Sequence, residues 1–301
     1  MPRLADWIAA ARPKTLPAAI APVAVGTVLA WALTRRETGQ GHWSLGLFLC
    51  TLASCMAIQV ATNYFNDGLD TLKGADTRRR LGPRRLAATG AAAARTMLRA
   101  GALVLAVAAL LALPLIQERG WVMLVIGLPS LYFAYGYTGG PMPLAYRGLG
   151  ELFVILFFGL IAVTGSAFVQ SGEWYQAAVV AGFQIGCLST VLIAINNLRD
   201  VEEDRQSGKR TLAVRWGVGF ARVEIFLLIV GAHAVGFYWW THHFPRAFTL
   251  PLILLPAGLW LAMQIFLRPP GRGHNRLLAL AGLQLILFAV LLCIGWITSP
   301  P

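Results

Sequence analysis

Nine apolar stretches, each roughly 20 residues long, follow one another along this chain, at 15–33, 44–66, 92–115, 120–138, 149–170, 175–198, 222–241, 249–267 and 277–298. A bilayer hydrocarbon core about 30 Å thick takes roughly 20 apolar residues of helix to cross. The expectation is an all-α, polytopic membrane bundle of nine transmembrane helices, a single domain over residues 1–301. Only 13% of the residues are charged while 57% are apolar, and a water-soluble domain carries about 25% charged residues. Disorder, a collagen-like fibre and a disulfide-stapled scaffold are excluded on the same ground. The first run follows Arg3, Arg12 and Lys14 as a signal peptide would, but it is too long and contains Pro17 and Pro22. Similar runs follow it, so it is read as a mature helix.

The chain carries 25 Lys and Arg against 13 Asp and Glu, a net charge of +12. The basic residues lie between apolar runs and form no amphipathic surface, so they point to loop retention at a membrane and not to nucleic acid. With the N-terminus in the cytoplasm, 21 of the 25 basic residues fall on the cytoplasmic side. That asymmetry follows the positive-inside rule and predicts a cytoplasmic-membrane protein with its C-terminus outside. Trp31, Trp43, Trp121, Trp174, Trp239, Trp240 and Trp296 fall at the outer ends, as an interfacial belt would. The cysteines (Cys50, Cys55, Cys187, Cys293) sit inside apolar runs and read as small core residues. No obligate protein partner is evident.

Seven of the 13 acidic residues crowd into two windows, after the second and sixth runs, both on the cytoplasmic side. The first runs from Asn63 through Asn66, Asp67, Asp70 and Lys73 to Asp76; the second holds Asn196, Asn197, Arg199, Asp200, Glu202, Glu203 and Asp204. Residues four apart share a helix face, so Asn66 and Asp70 form one oxygen-rich ridge and Asn196, Asp200 and Asp204 another. Gly68 and Gly74 predict that the first ridge unwinds soon after Asp70, which would let Asp76 fold back. Asn66 and Asp70 match Asn196 and Asp200 at an offset of 130 residues, a faint internal repeat.

Carboxylate and amide oxygens without His or Cys select a hard cation, and Mg2+ commonly binds through a few carboxylates plus substrate phosphates. The histidines avoid both windows. Lys73, Arg78, Lys209 and Arg210 would repel a bare cation but suit a diphosphate bridged by metal; lipid-headgroup anchoring is their alternative role. The bland alternative for the windows is a solvated loop. Against it, each window is preceded by an Asn near the membrane, where polar clusters are functional by default.

These residues resemble the UbiA-type intramembrane prenyltransferases. The resemblance rests on Asn66-Asp67-x-x-Asp70 with Lys73-Gly74-x-Asp76, and on Asn196-Asn197-Leu-Arg199-Asp200-x-x-x-Asp204 with Gly208-Lys209-x-Thr211. Arg12-Pro-Lys14-Thr-Leu-Pro17, Arg80-Leu-Gly-Pro83, Tyr137-Thr138 and Gly148-Leu-Gly-Glu151 make it most similar to the branch acting on 1,4-dihydroxy-2-naphthoate in menaquinone biosynthesis. Many family members have an acidic residue where Gly74 stands, which leaves Asp76 in question as a ligand.

The resemblance implies Mg2+-dependent transfer from a polyprenyl diphosphate to an aromatic acceptor, with decarboxylation when the acceptor is the naphthoate. It implies Asn66, Asp67, Asp70, Asp76, Asn196, Asp200 and Asp204 as metal ligands, with Asn66, Asp70, Asp200 and Asp204 catalytic. Lys73, Arg78, Lys209 and Arg210 would hold the diphosphate. Arg12, Lys14, Arg147 and Glu151 would meet the acceptor or anchor the interface. Tyr64, Phe65, Tyr132, Tyr135, Tyr137, Phe153 and Phe157 would line the path of the allylic group. Two other readings stand beside this one: another acceptor, such as 4-hydroxybenzoate or homogentisate, and a secondary transporter. Transporter sites usually lie near the bilayer midplane, whereas both windows sit at one membrane face.

Overall fold

The computed structural model describes residues 2–75, 81–82 and 85–299, and among them it is helical with no strand. The helices are α1 (Leu4–Ala10), α2 (Pro17–Thr38), α3 (Leu45–Leu72), α4 (Ala94–Arg119), α5 (Val122–Gly136), α6 (Gly150–Ser171), α7 (Gln176–Arg199), α8 (Val201–Gln206), α9 (Leu212–Thr241), α10 (Pro245–Leu252), α11 (Leu255–Leu267) and α12 (His274–Thr298). Seven of them (α2, α3, α4, α6, α7, α9 and α12) are long and apolar enough to cross a membrane. The pair α10 and α11, bent by 41°, makes an eighth if it acts as one span.

The expected count of nine is not reached. The fourth run is α5, whose 15 residues extend only about 22 Å at 1.5 Å per residue. It is shorter than its apolar run because Gly120 turns the chain at φ +69° and Tyr137 already caps the far end. The seventh span is preceded by a short helical turn, opened where the Thr211 hydroxyl accepts from the Val214 N–H at 3.4 Å and broken off at Gly217, φ +88°.

Helix α7 is central and packs on α2, α6, α9 and α12. Its buried face carries Ile185, Leu188, Ile195 and Leu198. Inside a membrane, helices associate through close packing, and small residues allow it. A Cβ on Gly159 of α6 would lie 2.4 Å from the Gly182 carbonyl oxygen and 2.5 Å from the Gly186 Cα, both on α7. This close crossing coincides with a π-helical stretch, Ile155–Ile161, within α6. On the other side α3 pairs with α4, and α5 lies across both. Gly68 serves that pairing and does not unwind the helix: its Cβ would stand 2.9 Å from the Ala94 carbonyl oxygen. The chain turns only after Leu72, at Gly74 with φ +68°.

Five of the tryptophans expected in the belt fit a surface position, Trp43, Trp121, Trp174 and Trp240 being exposed and Trp31 partly so. Trp239 and Trp296 do not. They are buried with ring centroids 4.9 Å apart, and the Trp239 indole N–H donates to Gln184 Oε1 at 2.7 Å. A run's end locates a tryptophan in depth but does not say whether it faces lipid or a neighbouring helix.

Candidate active-site cavity

A cavity of about 780 Å3 lies between α3, α4 and α5 on one side and α2, α6 and α7 on the other. Asn66, Asp70, Asn196, Asp200 and Asp204 line one end, with Arg12, Lys14, Arg85, Arg199 and Lys209. The rest is largely apolar and reaches Thr51, Met123 and Val169. From Asp70 back to Thr51 along α3 is about 28 Å at 1.5 Å per residue.

The last turns of α3 supply the first window. Asn66 Oδ1 accepts from the Thr138 hydroxyl, and the Asn66 carbonyl accepts from Arg85 Nη1 at 2.7 Å. Asp70 is buried, and its Oδ2 accepts from Arg85 Nη1 at 2.6 Å and from Lys209 Nζ at 3.1 Å. Its Oδ1 accepts from the Tyr146 hydroxyl at 2.8 Å. A buried carboxylate stands only with such pairing. Asp67 points elsewhere. Its two oxygens accept from the Leu86 N–H at 2.9 Å and the Ala87 N–H at 3.1 Å, and it does not line the cavity. The expected metal-ligand role is therefore corrected: Asp67 fixes the turn that follows Arg85 and so aims that guanidinium at Asp70.

The second window begins where α7 ends, at Arg199. Arg199 donates from Nε and Nη2 to the two Asp200 oxygens at 2.7 and 2.6 Å, and from Nη1 to Asn275 Oδ1 at 2.7 Å. Asn275 in turn donates to the Leu81 carbonyl at 3.0 Å, tying the segment after the first window to α12. Asp204 sits on α8, 4.0 Å from Lys209 Nζ. Lys209 thus stands between Asp70 of the first window and Asp204 of the second.

Of the other basic residues expected to hold substrate, Arg12 and Lys14 line the cavity, as does Tyr137. Lys73, Arg147 and Arg210 do not. Lys73 Nζ donates to the Thr138 carbonyl at 2.6 Å and lies 4.1 Å above the Tyr146 ring. Desolvation lowers its pKa, with Asp70 opposing. Arg147 turns toward the Pro141 carbonyl, and Arg210 is exposed while its backbone N–H donates to the Tyr146 carbonyl. Asp76 and Arg78 lie outside the described residues. Sequence reasoning missed Arg85 and Tyr146. Arg85 belongs to a run of arginines in which no spacing singles it out.

The aromatic wall is Phe133, Tyr137, Phe153, Phe157 and Phe158. Phe153 and Phe157 stack at 4.4 Å, and Phe133 meets their edges at 5.4 and 5.3 Å. Tyr132 and Tyr135 are exposed, Tyr64 packs on Trp7, and Phe65 packs on Tyr135. These four are corrected as lining, and Phe133, whose ring meets Tyr132 edge-on at 5.2 Å and itself lines the cavity, takes their place. Deeper than the carboxylates, Asn197 Nδ2 donates to Glu151 Oε1 at 2.7 Å. Glu151 Oε2 is buried without a hydrogen-bond partner.

No three of His, Cys, Asp and Glu converge on a metal position among the described residues. Among the described residues there is therefore no closed metal cage. An all-oxygen set spread over two facing walls does fit Mg2+, which is held through one or two carboxylates plus substrate phosphates. The nearby Arg and Lys nitrogens fit the phosphate oxygens of such a complex.

The sequence matches the UbiA prenyltransferase family over residues 19–285, and the chain belongs to that family. Its apolar helices make it a multi-pass membrane protein. It is 35% identical over 236 residues to a 1,4-dihydroxy-2-naphthoate octaprenyltransferase of Escherichia coli (strain K12), covering 76% of this chain and 74% of that one. A relative with the same description from Mycobacterium leprae (strain TN) is 33% identical over 270 residues, 89% of this chain and 84% of its own. In fold, the chain is similar to a UbiA homolog from Archaeoglobus fulgidus bound to GPP and Mg2+, with a TM-score of 0.64 at 16% identity, over 97% of this chain and 100% of that one.

Proposed function

We propose that this protein transfers a polyprenyl group from polyprenyl diphosphate to 1,4-dihydroxy-2-naphthoate, releasing CO2 and diphosphate and forming a demethylmenaquinol. The observation that carries this reading is the two-ended cavity: oxygen donors and cations at one mouth, aromatic and aliphatic walls beyond. The relatives' described activity supports the acceptor. A transporter is not favoured, since both carboxylate clusters stand at one end of the cavity and, among the described residues, its lining beyond Glu151 carries no charge.

Asp70, Asp200 and Asp204, with Asn66 and Asn196, would hold Mg2+ together with the diphosphate. The ion, when bound, would neutralise charge building on the leaving group. Lys209, Arg85 and Arg199 stand close enough to donate to diphosphate oxygens and stabilise the same charge. Phe133, Tyr137, Phe153 and Phe157 would exclude water and turn ring faces toward the allylic carbon as positive charge develops there. The acceptor ring would then attack that carbon, and loss of CO2 would restore its aromaticity. The active end lies on the cytoplasmic side in this reading, with the N-terminus inside and the polyprenyl tail left in the bilayer.

The test is incubation of the purified protein with Mg2+, a labelled polyprenyl diphosphate and a panel of carboxyl-labelled acceptors. Transfer to the naphthoate should release one CO2 per turnover, stop on chelation with EDTA and resume on adding Mg2+. Transfer to 4-hydroxybenzoate without turnover of the naphthoate would overturn the acceptor and leave the rest standing.

A further inference from the structure

Glu151 is only 3% exposed, lines the cavity and has no Lys or Arg nitrogen at ion-pair distance among the described residues. It differs in this from Asp70, Asp200 and Asp204, each of which has a Lys or Arg nitrogen at 4.0 Å or closer. Burying a carboxylate without a cation is costly, so its partners matter. It sits in the first turn of α6, where the helix dipole favours negative charge. Asn197 holds one of its oxygens. The second oxygen, Oε2, has no partner at all. An acceptor-only atom, fixed through its twin and left open inside a substrate cavity, is matched by a ligand hydroxyl.

Its depth agrees. Asn197 lies about 4.5 Å, or three residues at 1.5 Å each, before Asp200 along α7. A carboxylate anchored on Asn197 thus lies level with Asn196, at the inner edge of the diphosphate end and about one turn deeper than Asp200. That is where the reacting carbons would meet. Gly150 has no side chain to obstruct this corner, and its Cβ would fall 2.9 Å from the Tyr137 hydroxyl oxygen. Asp70 and Asp200 are poor proton acceptors by comparison, each already bonded to a guanidinium.

We propose that Glu151 is a catalytic base that takes the hydroxyl proton of the aromatic acceptor through Oε2. The inference rests on the acceptor reading above. The O–H bond breaks first, its proton passing to Glu151 Oε2 and its electron pair staying on oxygen as a phenolate, which then forms a ring C=O as the ring carbon bonds to the allylic carbon. The allylic C–O bond breaks with its pair leaving on diphosphate. The C–CO2 bond then breaks, its electrons restore the ring, and Glu151 returns the proton to the oxygen. No oxidant or reductant is required.

The test compares Glu151→Gln and Glu151→Asp with the unaltered chain in detergent, with Mg2+, polyprenyl diphosphate and 1,4-dihydroxy-2-naphthoate. Glu151→Gln keeps an oxygen for Asn197 but has no second acceptor. Its kcat should fall about 100-fold or more with KM for polyprenyl diphosphate unchanged. With inorganic diphosphate in place of the prenyl donor, the bound naphthoate should show the red-shifted absorption of a phenolate. That band should vanish in Glu151→Gln and persist in Glu151→Asp, which also covers the case of a Gln variant that does not fold. A Gln variant within a few-fold of normal turnover, or either variant breaking this pattern of bands, overturns the proposal. Absence of naphthoate turnover by the unaltered chain overturns the acceptor reading, and the proposal with it.

Discussion

Asp70 and Asp67 stand three residues apart in one helix, and the cavity separates their tasks. Asp70 gathers Arg85, Lys209 and Tyr146 around one buried carboxylate. Asp67 spends both oxygens on backbone N–H groups. Asp70→Asn and Asp200→Asn should each cut prenyl transfer by about 100-fold or more, because each removes charge opposite the leaving group, and should raise the Mg2+ concentration needed for half-maximal rate. Asp67→Asn should leave that Mg2+ requirement nearly unchanged while lowering the thermal unfolding midpoint, since a side-chain amide has one acceptor where two N–H groups need partners. An equal shift in Mg2+ requirement for Asp67→Asn and Asp70→Asn would restore Asp67 as a ligand. Arg85→Ala should cost about 1.5–3 kcal/mol of stability, the loss of a hydrogen bond to a charged group from a carboxylate that keeps Lys209 and Tyr146, read as a drop in the unfolding midpoint in detergent. At this scale the sequence disclosed which residue types would meet but not which of them face each other. The spacing of Asn66 and Asp70 marks one helix face, and that face does line the cavity. Asp67 and the tyrosines of α5 carry no such mark, because a motif specifies chain position while orientation comes from the neighbouring helix.

Among the elements, α6 and α7 are fixed most tightly by what they lack. Gly159, Gly182 and Gly186 let two backbones touch beside the cavity wall that carries Glu151, Phe153 and Phe157. Gly159→Ala would drive a methyl group to 2.4 Å from the Gly182 carbonyl, and backbone cannot rotate aside as a side chain can. It should cost about 1–3 kcal/mol by overpacking and reduce turnover by shifting Glu151 away from the diphosphate end. Gly165, on the same helix, is the control: its nearest neighbour to a Cβ is Ile126 Cδ1 at 3.6 Å. Gly165→Ala should leave the unfolding midpoint within about a degree of the unaltered chain, and equal losses in the two variants would mean that the close crossing is not what holds α6. Run length and apolarity located every long helix, but this crossing was not legible. Many of the chain's glycines lie in apolar runs, and only the packed structure tells a contact glycine from one facing lipid. The shortness of α5 was equally hidden, since hydropathy reads through the Gly120 turn that the backbone obeys.

For the whole molecule, both carboxylate windows stand at the C-terminal ends of helices, α3 and α7, that run in the same direction through the bundle. The offset of 130 residues between Asn66 and Asn196 anticipated that arrangement: two similar helix ends, brought to opposite walls of one cavity mouth. The mouth then lies on a single side of the membrane, and the basic asymmetry supports the proposal that this side is the cytoplasm. Gln206 and Glu173 are exposed and lie beyond opposite ends of α7. In a variant with Cys50, Cys55, Cys187 and Cys293 replaced, Gln206→Cys should react with an impermeant thiol reagent only from the cytoplasmic face of sealed vesicles. Glu173→Cys should react only from the opposite face. The reverse pattern would turn the molecule over and move diphosphate release to the outside. Labelling of both positions from one face would require α7 not to span the bilayer, although it is the most buried of the long helices, and would dismantle the cavity reading along with the orientation.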